Sequence, residues 1–223
     1  MEQIIFIDKS KGITSFDVIR MLRRTLGVRK MGHAGTLDPN ATGILIVGVG
    51  EGTKHLQKYI GLPKTYVMDI LLGVRTDTGD ITGNIIETSV CPTFNVGQVE
   101  RILEGMIGSI ALPIPSYSAL KYKGKPRYAY ARKGIALEPK IRKMEIFSLR
   151  FIDICYGGLA SIANPVLKIE MDCASGTYAR SVAEEIGRML GVPATLKDLR
   201  RTRIGAFSVA EAQPLPPIEK ASV

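Results

Sequence analysis

The chain has 223 residues, enough for one large domain or one domain with a small appendage. Apolar residues make up 45% and charged residues 23%, which excludes wholesale disorder, and no apolar run reaches the length of a membrane span. Thirty Lys and Arg against 21 Asp and Glu leave +9, a surplus that suits a polyanionic partner, either nucleic acid or an anionic membrane surface. Residues 1–15 lack the apolar core of a signal peptide. Cys91, Cys155 and Cys173 are odd in number and too widely spaced for a disulfide framework or a CxxC metal site, which fits a reducing cytoplasm.

In chain order, residues 3–7, "QIIFI", read as a short buried strand. Thr14 or Ser15 can cap a helix that sets Phe16, Ile19, Leu22 and Leu26 on one face and closes at Gly27. Residues 44–47 suit a central strand, and 52–60 a short helix with Leu56, Tyr59 and Ile60 inward. Residues 65–72 alternate imperfectly and lead into the turn-rich "GVRTDTGDITG". Asn95 can cap a helix whose Val99, Ile102, Leu103, Met106 and Ile107 recur at helical spacing. Pro113 and Pro115 mark an extended connection, followed by the basic, tyrosine-rich "SYSALKYKGKPRYAYARKG". Residues 144–156 and 166–173 read as two long strands able to pair. "YARSVAEEIGRMLG" is an amphipathic helix with Val182, Ile186, Met189 and Leu190 inward, and a proline-rich tail follows at 214–217. The pattern predicts one α+β domain on a large mixed sheet.

The stretch "KMGHAGTLDPNATGILIVGVG", residues 30–50, raises the functional question, because it sets a carboxylate, Asp38, directly before a buried strand. Its glycines fit no phosphate loop: in "GVGEGTKH" Thr53 stands where Walker A needs glycine and His55 where it needs a hydroxyl. The G-x-G-x-G spacing also fails the dinucleotide fingerprint. No zinc-deaminase or GxSxG pattern is present, and His33 and His55 are the only histidines. Asp38 reads in two ways. It can cap a helix with Pro39 at the first helical position, or it can be displayed by a loop braced against a rigid strand. The strand signal from Ile44 allows such a helix a single turn at most.

The basic residues cluster: five within 20–30, nine within 121–143 and four within 197–203. In the second cluster Lys121, Lys123 and Arg132 interleave with tyrosines, the combination of phosphate-pairing charge and stacking faces that RNA binding uses.

Four stretches then stand in register: "GHAGTLDPNATG", "TYVMDILLGVRTDTGDITG", "YSALKYKGKPRYAYARKG" and "CASGTYARSVAEEIGRMLG". So arranged, the chain resembles the TruB family of tRNA pseudouridine synthases over nearly its whole length, from "IDKSKGITS" to "LRRTRIGAF". The resemblance implies a single α+β catalytic domain, 1–223, with a large, mostly antiparallel mixed sheet flanked by helices and loops. The PUA-like RNA-binding domain of longer relatives is expected to be absent. It further implies isomerisation of the T-loop uridine at tRNA position 55 after base flipping, with no metal or other cofactor. By the same resemblance Asp38 is the nucleophile, Tyr66 stacks on the target base, and Arg180 pairs with Asp38. Tyr178 and His33 contact the displaced RNA loop, and Lys9 and Leu199 line the pocket. The expected partner is the tRNA T-arm, for a cytoplasmic monomer needing no protein partner or membrane. Ser10, Leu112, Ala174 and Ala179 depart from the family pattern and bear on the shape of the pocket rim. Two other readings stand beside this one: a non-catalytic RNA-binding or RNA-folding factor of the same fold, and a synthase for a different uridine.

Overall fold

The computed structural model describes residues 2–135, 137–156 and 164–215. Pro216 and Pro217 of the expected proline-rich tail lie outside them. The elements run β1 (Glu2–Lys9), α1 (Ser15–Leu26), β2 (Met31–Ala34), β3 (Thr42–Gly50), a 3-10 turn (Glu51–His55), α2 (Gln57–Ile60) and β4 (Lys64–Leu72). Next come β5 (Val74–Thr76), β6 (Ile85–Thr88), α3 (Val96–Gly105), β7 (Gly108–Pro113), β8 (Lys121–Tyr122), β9 (Lys125–Pro126) and α4 (Arg127–Ala131). The chain continues through β10 (Ile141–Cys155), β11 (Val166–Cys173), α5 (Ala179–Leu190), β12 (Ala194–Ile204), β13 (Phe207–Ser208) and β14 (Gln213–Pro214). A large mixed sheet with helices makes this the expected α+β fold. The chain divides into two compact units, Met1–Val67 with Leu199–Val223, and Met68–Asp198.

In the first unit β3 is the organising strand. It runs antiparallel to β1 from Glu2↔Gly50 to Lys9↔Gly43 and antiparallel to β2. It runs parallel to the end of β12 through Arg200↔Thr42 and Arg201↔Gly43. Its "ILIVGV" is apolar at every position because both faces are covered. Leu45, Val47 and Val49 pack with Val18, Ile19 and Leu22 of α1, while Ile44 and Ile46 pack with Leu56 and Ile204.

Helix α1 begins where the sequence signals it. Thr14 Oγ1 accepts from the Asp17 amide at 3.0 Å, the Asp17 carboxylate accepts from the Thr14 amide at 2.8 Å, and Gly27 closes the helix at φ 66°. Its buried stripe, however, is Ser15, Val18, Ile19 and Leu22. Phe16, expected inside, is exposed because it lies one residue, about 100°, round the helix from buried Ser15 and on the side away from Val18 and Leu22. Leu26 is in line with the stripe, four residues on from Leu22, but it is the last helical residue, beside Gly27, and it too is exposed. Arg20 and Arg23 instead place their guanidinium groups over the Phe16 ring.

In the second unit β10 pairs antiparallel with both β11 and β7, as the two long strand patterns predict. An Asn95–Gln98 capping box starts α3, which buries Val99 and Leu103. Helix α5 buries Val182, Ala183 and Ile186, and its Gly187 lies so close to Ala194 that a Cβ there would sit 2.4 Å from the alanine methyl. Ile60 and Met189, expected inward, and Ile107, expected to continue the helical spacing of α3, are exposed; each lies at or just beyond a helix end, where the inward face is lost. The stretch after β4 is more than turns: β5 pairs with β6, and the Asp77 carboxylate accepts from the Asn84 amide at 2.9 Å.

Gly43, at φ 107°, sits where β3 meets β12, and a Cβ there would lie 2.1 Å from the Arg201 carbonyl oxygen. Strain and clash act together, so Gly43→Ala is expected to lower unfolding free energy by about 3 kcal/mol or more, read by urea denaturation. A loss under about 0.5 kcal/mol would show that this crossing is loosely packed.

Candidate active site and nucleic-acid interface

Asp38 does not cap a helix. Residues 36–38 have no regular structure, and the Ala41 amide donates to the Asp38 carbonyl at 3.0 Å, closing a turn over Pro39 and Asn40. Pro39 thus stands at the first central position of a β-turn, where its fixed φ is suited. The half-buried Asp38 follows buried Leu37 and precedes buried Ala41. Ser15 Oγ accepts from the Leu37 amide at 2.9 Å and donates to the Leu37 carbonyl at 3.1 Å, fixing the residue before the aspartate to the start of α1. Pro39's carbonyl accepts from the Gly12 amide at 2.8 Å and from Lys9 Nζ at 3.2 Å.

Lys9 is fully buried at the end of β1. Its ammonium also donates to the Ser10 carbonyl at 2.9 Å and the Ile13 carbonyl at 2.7 Å, so its three N–H groups are all directed to backbone. Burial lowers its pKa from 10.5 to about 8, against the attraction of Asp38 and with repulsion from Arg201. Arg201 is 1% exposed; Nε donates to the Ile44 carbonyl at 2.9 Å and Nη2 to the Gly35 carbonyl at 3.3 Å. It therefore ties together the two ends of the Asp38 loop.

His33 lies on β2 opposite Val47, half-buried, and its Nδ1 has no hydrogen-bond partner among the described residues. Burial, then Arg201, lowers its pKa. Tyr66 and Leu199 belong to the same unit, on β4 and β12, and each is 9% exposed. The Leu199 carbonyl accepts from Thr42 Oγ1 at 3.5 Å, and Thr202 Oγ1 donates to the Thr65 carbonyl at 3.3 Å. The first unit thus contains Lys9, His33, Asp38, Tyr66 and Leu199, and the geometry joins Lys9 to the Asp38 turn directly.

Arg180 and Tyr178 lie in the second unit. Tyr178 is the residue before α5, with its amide donating to Met144 Sδ at 3.4 Å. Arg180 is 5% exposed at the start of the helix; Nη1 donates to the Thr78 carbonyl and Nη2 to the Tyr117 carbonyl, both at 3.0 Å. It lines a cavity of about 190 Å³ with Thr78, Ile114 and Glu184. Burial raises the Glu184 pKa, opposed by Arg75 and Arg180.

Exposure sorts the basic clusters. Lys121, Lys123 and Arg132 are exposed, with Lys123 over the Tyr122 ring and Arg132 over the Tyr128 ring, 5.3 Å from its centroid. Lys123, at φ 46°, and Gly124 form the two-residue tip of the β8–β9 hairpin. Arg127 of the same cluster is buried. The 197–203 cluster divides: Arg201 is buried, Arg200 holds Asp8 through two bonds of 3.1 and 2.7 Å, and Arg203 is exposed. Sequence reasoning missed Arg201 and Ser15 as supports of the Asp38 loop. The alternation of β12, which buries Leu199 and Arg201 on the same face, carried the signal for the arginine. Among the described residues no group of three or more His, Cys, Asp or Glu side chains could hold a metal ion, and no helix is long and apolar enough to cross a membrane.

Residues 23–179 match the family described as TruB family pseudouridylate synthase, N-terminal domain. The chain belongs to that family. A tRNA pseudouridine synthase B of Endomicrobium trichonymphae is 38% identical over 212 residues, spanning 95% of this chain and 89% of that protein. Another, from Aromatoleum aromaticum, is 40% identical over 98% of this chain and 68% of that protein. Cbf5, in a solved Cbf5–Nop10–Gar1 complex, aligns with TM-score 0.70 at 24% identity over 95% of this chain and 52% of that one, a likeness of fold. This TruB-family chain thus spans about half of that solved chain.

Lys9 supplies a test of the support beneath the aspartate. Its folded pKa, about 8, lies below its unfolded 10.5, so between these values the unfolded chain binds more protons and stability rises with pH. Relative to Lys9→Met, the wild type should gain about 3 kcal/mol of unfolding free energy between pH 7.5 and 10.5. Parallel pH profiles for the two proteins would mean that burial does not disfavour the charged form of Lys9.

Proposed function

We propose that this protein is a tRNA pseudouridine synthase that isomerises the T-loop uridine at position 55, with Asp38 as nucleophile. The observation that carries the reading is the half-buried Asp38 on a turn fixed from both sides, in a chain 38–40% identical to proteins named tRNA pseudouridine synthase B. The reaction breaks the N–C glycosidic bond, turns the uracil over and rejoins it to the sugar through carbon. A carboxylate can form a covalent adduct, or stabilise the positive charge that develops at the sugar carbon. Either route needs an ionised, well-placed oxygen, and a fixed turn limits the geometric freedom it would otherwise have to lose. The proton on C5 of the base leaves as the new carbon–carbon bond is completed, so tritium at C5 passes to water.

Tyr66, 9% exposed, has the flat ring suited to stacking on a flipped base. Arg180 supplies the fork that can hold a carboxylate in two parallel bonds, and its two carbonyl contacts limit its rotation. Lys9 works as a positioning residue, since its donors are directed to backbone. The exposed cations and tyrosines of 121–132 form the surface suited to the T-arm, and the protein acts as a cytoplasmic monomer.

Asp38→Asn should abolish tritium release from [5-³H]uridine-labelled tRNA, by about 10³-fold or more, while tRNA affinity changes less than about threefold. Turnover at the wild-type level would rule out the nucleophile and favour the RNA-binding reading. For the binding face, replacing Lys121, Lys123 and Lys125 together by Gln should lower the slope of log K against log salt by about two units. An unchanged slope would put the RNA on another face.

A further inference from the structure

Arg127 is the one member of the 121–143 cluster whose side chain is buried, although it opens the short helix α4 among exposed cations. It is 3% exposed. Its Nη2 donates to the Glu138 carbonyl at 2.9 Å, and its backbone amide donates to the Leu120 carbonyl at 2.8 Å. Its buried Nε has no hydrogen-bond partner among the described residues. The same is true of Ser118 Oγ, 2% exposed, whose carbonyl accepts from the Tyr128 amide at 3.1 Å.

A buried guanidinium with no carboxylate partner among the described residues is costly, and an aliphatic side chain of similar volume would avoid that cost. Arg127 also forms part of the wall of a cavity of about 250 Å³, with Asp77, Ser116, Tyr117, Ile135 and Leu137. The Asp77 carboxylate accepts from the Asn84 amide at 2.9 Å and from Asn84 Nδ2 at 3.2 Å, which ties it to its own turn. Arg127 thus brings to the wall of that cavity a guanidinium whose Nε is unpaired among the described residues, a charge that an anion would balance.

We propose that this cavity is a phosphate site in which Arg127 binds one phosphodiester of the RNA. The proposal rests on the reading of the protein as a tRNA-modifying enzyme. A guanidinium offers planar, paired N–H donors that match two phosphate oxygens, and it stays charged on burial where a lysine can lose its proton. The exposed Lys121, Lys123, Lys125, Arg132 and Lys133 around it raise the local concentration of a polyanion. Asp77 disfavours a free dianion there, but its carboxylate can accept from a ribose hydroxyl beside the phosphate, which favours RNA as the source.

The test compares wild type with Arg127→Leu and Arg127→Lys for thermal stability, with and without inorganic phosphate, and for tRNA binding across a salt series. Arg127→Leu should melt at the same temperature as wild type or higher without RNA, yet bind tRNA about tenfold more weakly with a salt slope lower by about one unit. Arg127→Lys should keep the slope and recover only part of the affinity, and it carries the comparison if the leucine variant does not fold. A leucine variant that is destabilised but keeps wild-type tRNA affinity and slope would make Arg127 a structural tether of Glu138 and overturn the proposal. Phosphate that raises the wild-type melting temperature while the tRNA slope is unaltered in both variants would assign the cavity to a free anion and overturn the RNA contact. Wild-type protein that binds tRNA through Arg127 but releases no tritium would sink the synthase reading alone.

Discussion

Lys9 donates to the carbonyls of Ser10, Ile13 and Pro39, and Arg201 to those of Gly35 and Ile44; on these bonds the placement of Asp38 depends. The loop between β2 and β3 has no sheet partner for its carbonyls, and buried carbonyls must be satisfied by something. A neutral donor would serve one or two of them. An ammonium or guanidinium serves several at once and adds a positive field beneath a carboxylate, a field visible in how Asp38 and Arg201 act on Lys9 in opposite directions. Gly43 belongs to the same device, because only a residue without a side chain lets β3 meet the Arg201 backbone.

Buried cations on carbonyls recur elsewhere. Lys64, 5% exposed, donates to the carbonyls of Ile60 and Leu62, and Arg180 to those of Thr78 and Tyr117. The habit explains why positive charge in this sequence divides into two populations. One is a set of internal fasteners, and the other is exposed, including the tyrosine-backed group around Lys121 to Arg132 and, in the 20–30 cluster, Arg20, Arg24, Arg29 and Lys30. A net charge of +9 counts both alike, whereas only the second can meet a polyanion from solution.

The same division marks what could be read from the sequence. The ends of α1 were legible, because Thr14, Asp17 and Gly27 act through local chemistry. So was β3, whose unbroken apolar run has one natural place, between two covered faces. The display of Asp38 on a turn was half legible: the strand signal at Ile44 limited any helix, but the Ser15 clamp comes from 22 residues away and leaves no local trace. Residues 65–72 of β4 read as imperfectly alternating although burial there alternates strictly, since apolar Val67 and Leu71 take half-buried places that hydropathy assigns to the core. Arg201 was counted only as one of a basic cluster, because polarity by itself assigns an arginine to solvent. The inward face of α1 erred at Phe16, because rotation about the axis is set by packing partners that no periodicity names.

Attachment of the Asp38 loop at both ends has a consequence for the economy of the whole encounter with RNA. Fixing a residue's backbone removes about 1–2 kcal/mol of conformational entropy. Here the ordering is done once, when the chain folds and the bonds from Ser15, Lys9 and Arg201 close over residues 35–41. A loop that organised itself only on meeting RNA would subtract that entropy from every association, and the nucleic acid would have to be held more tightly to compensate. With the loop ordered in advance, more of the interaction energy of each encounter remains for extracting a stacked base and turning it toward the aspartate.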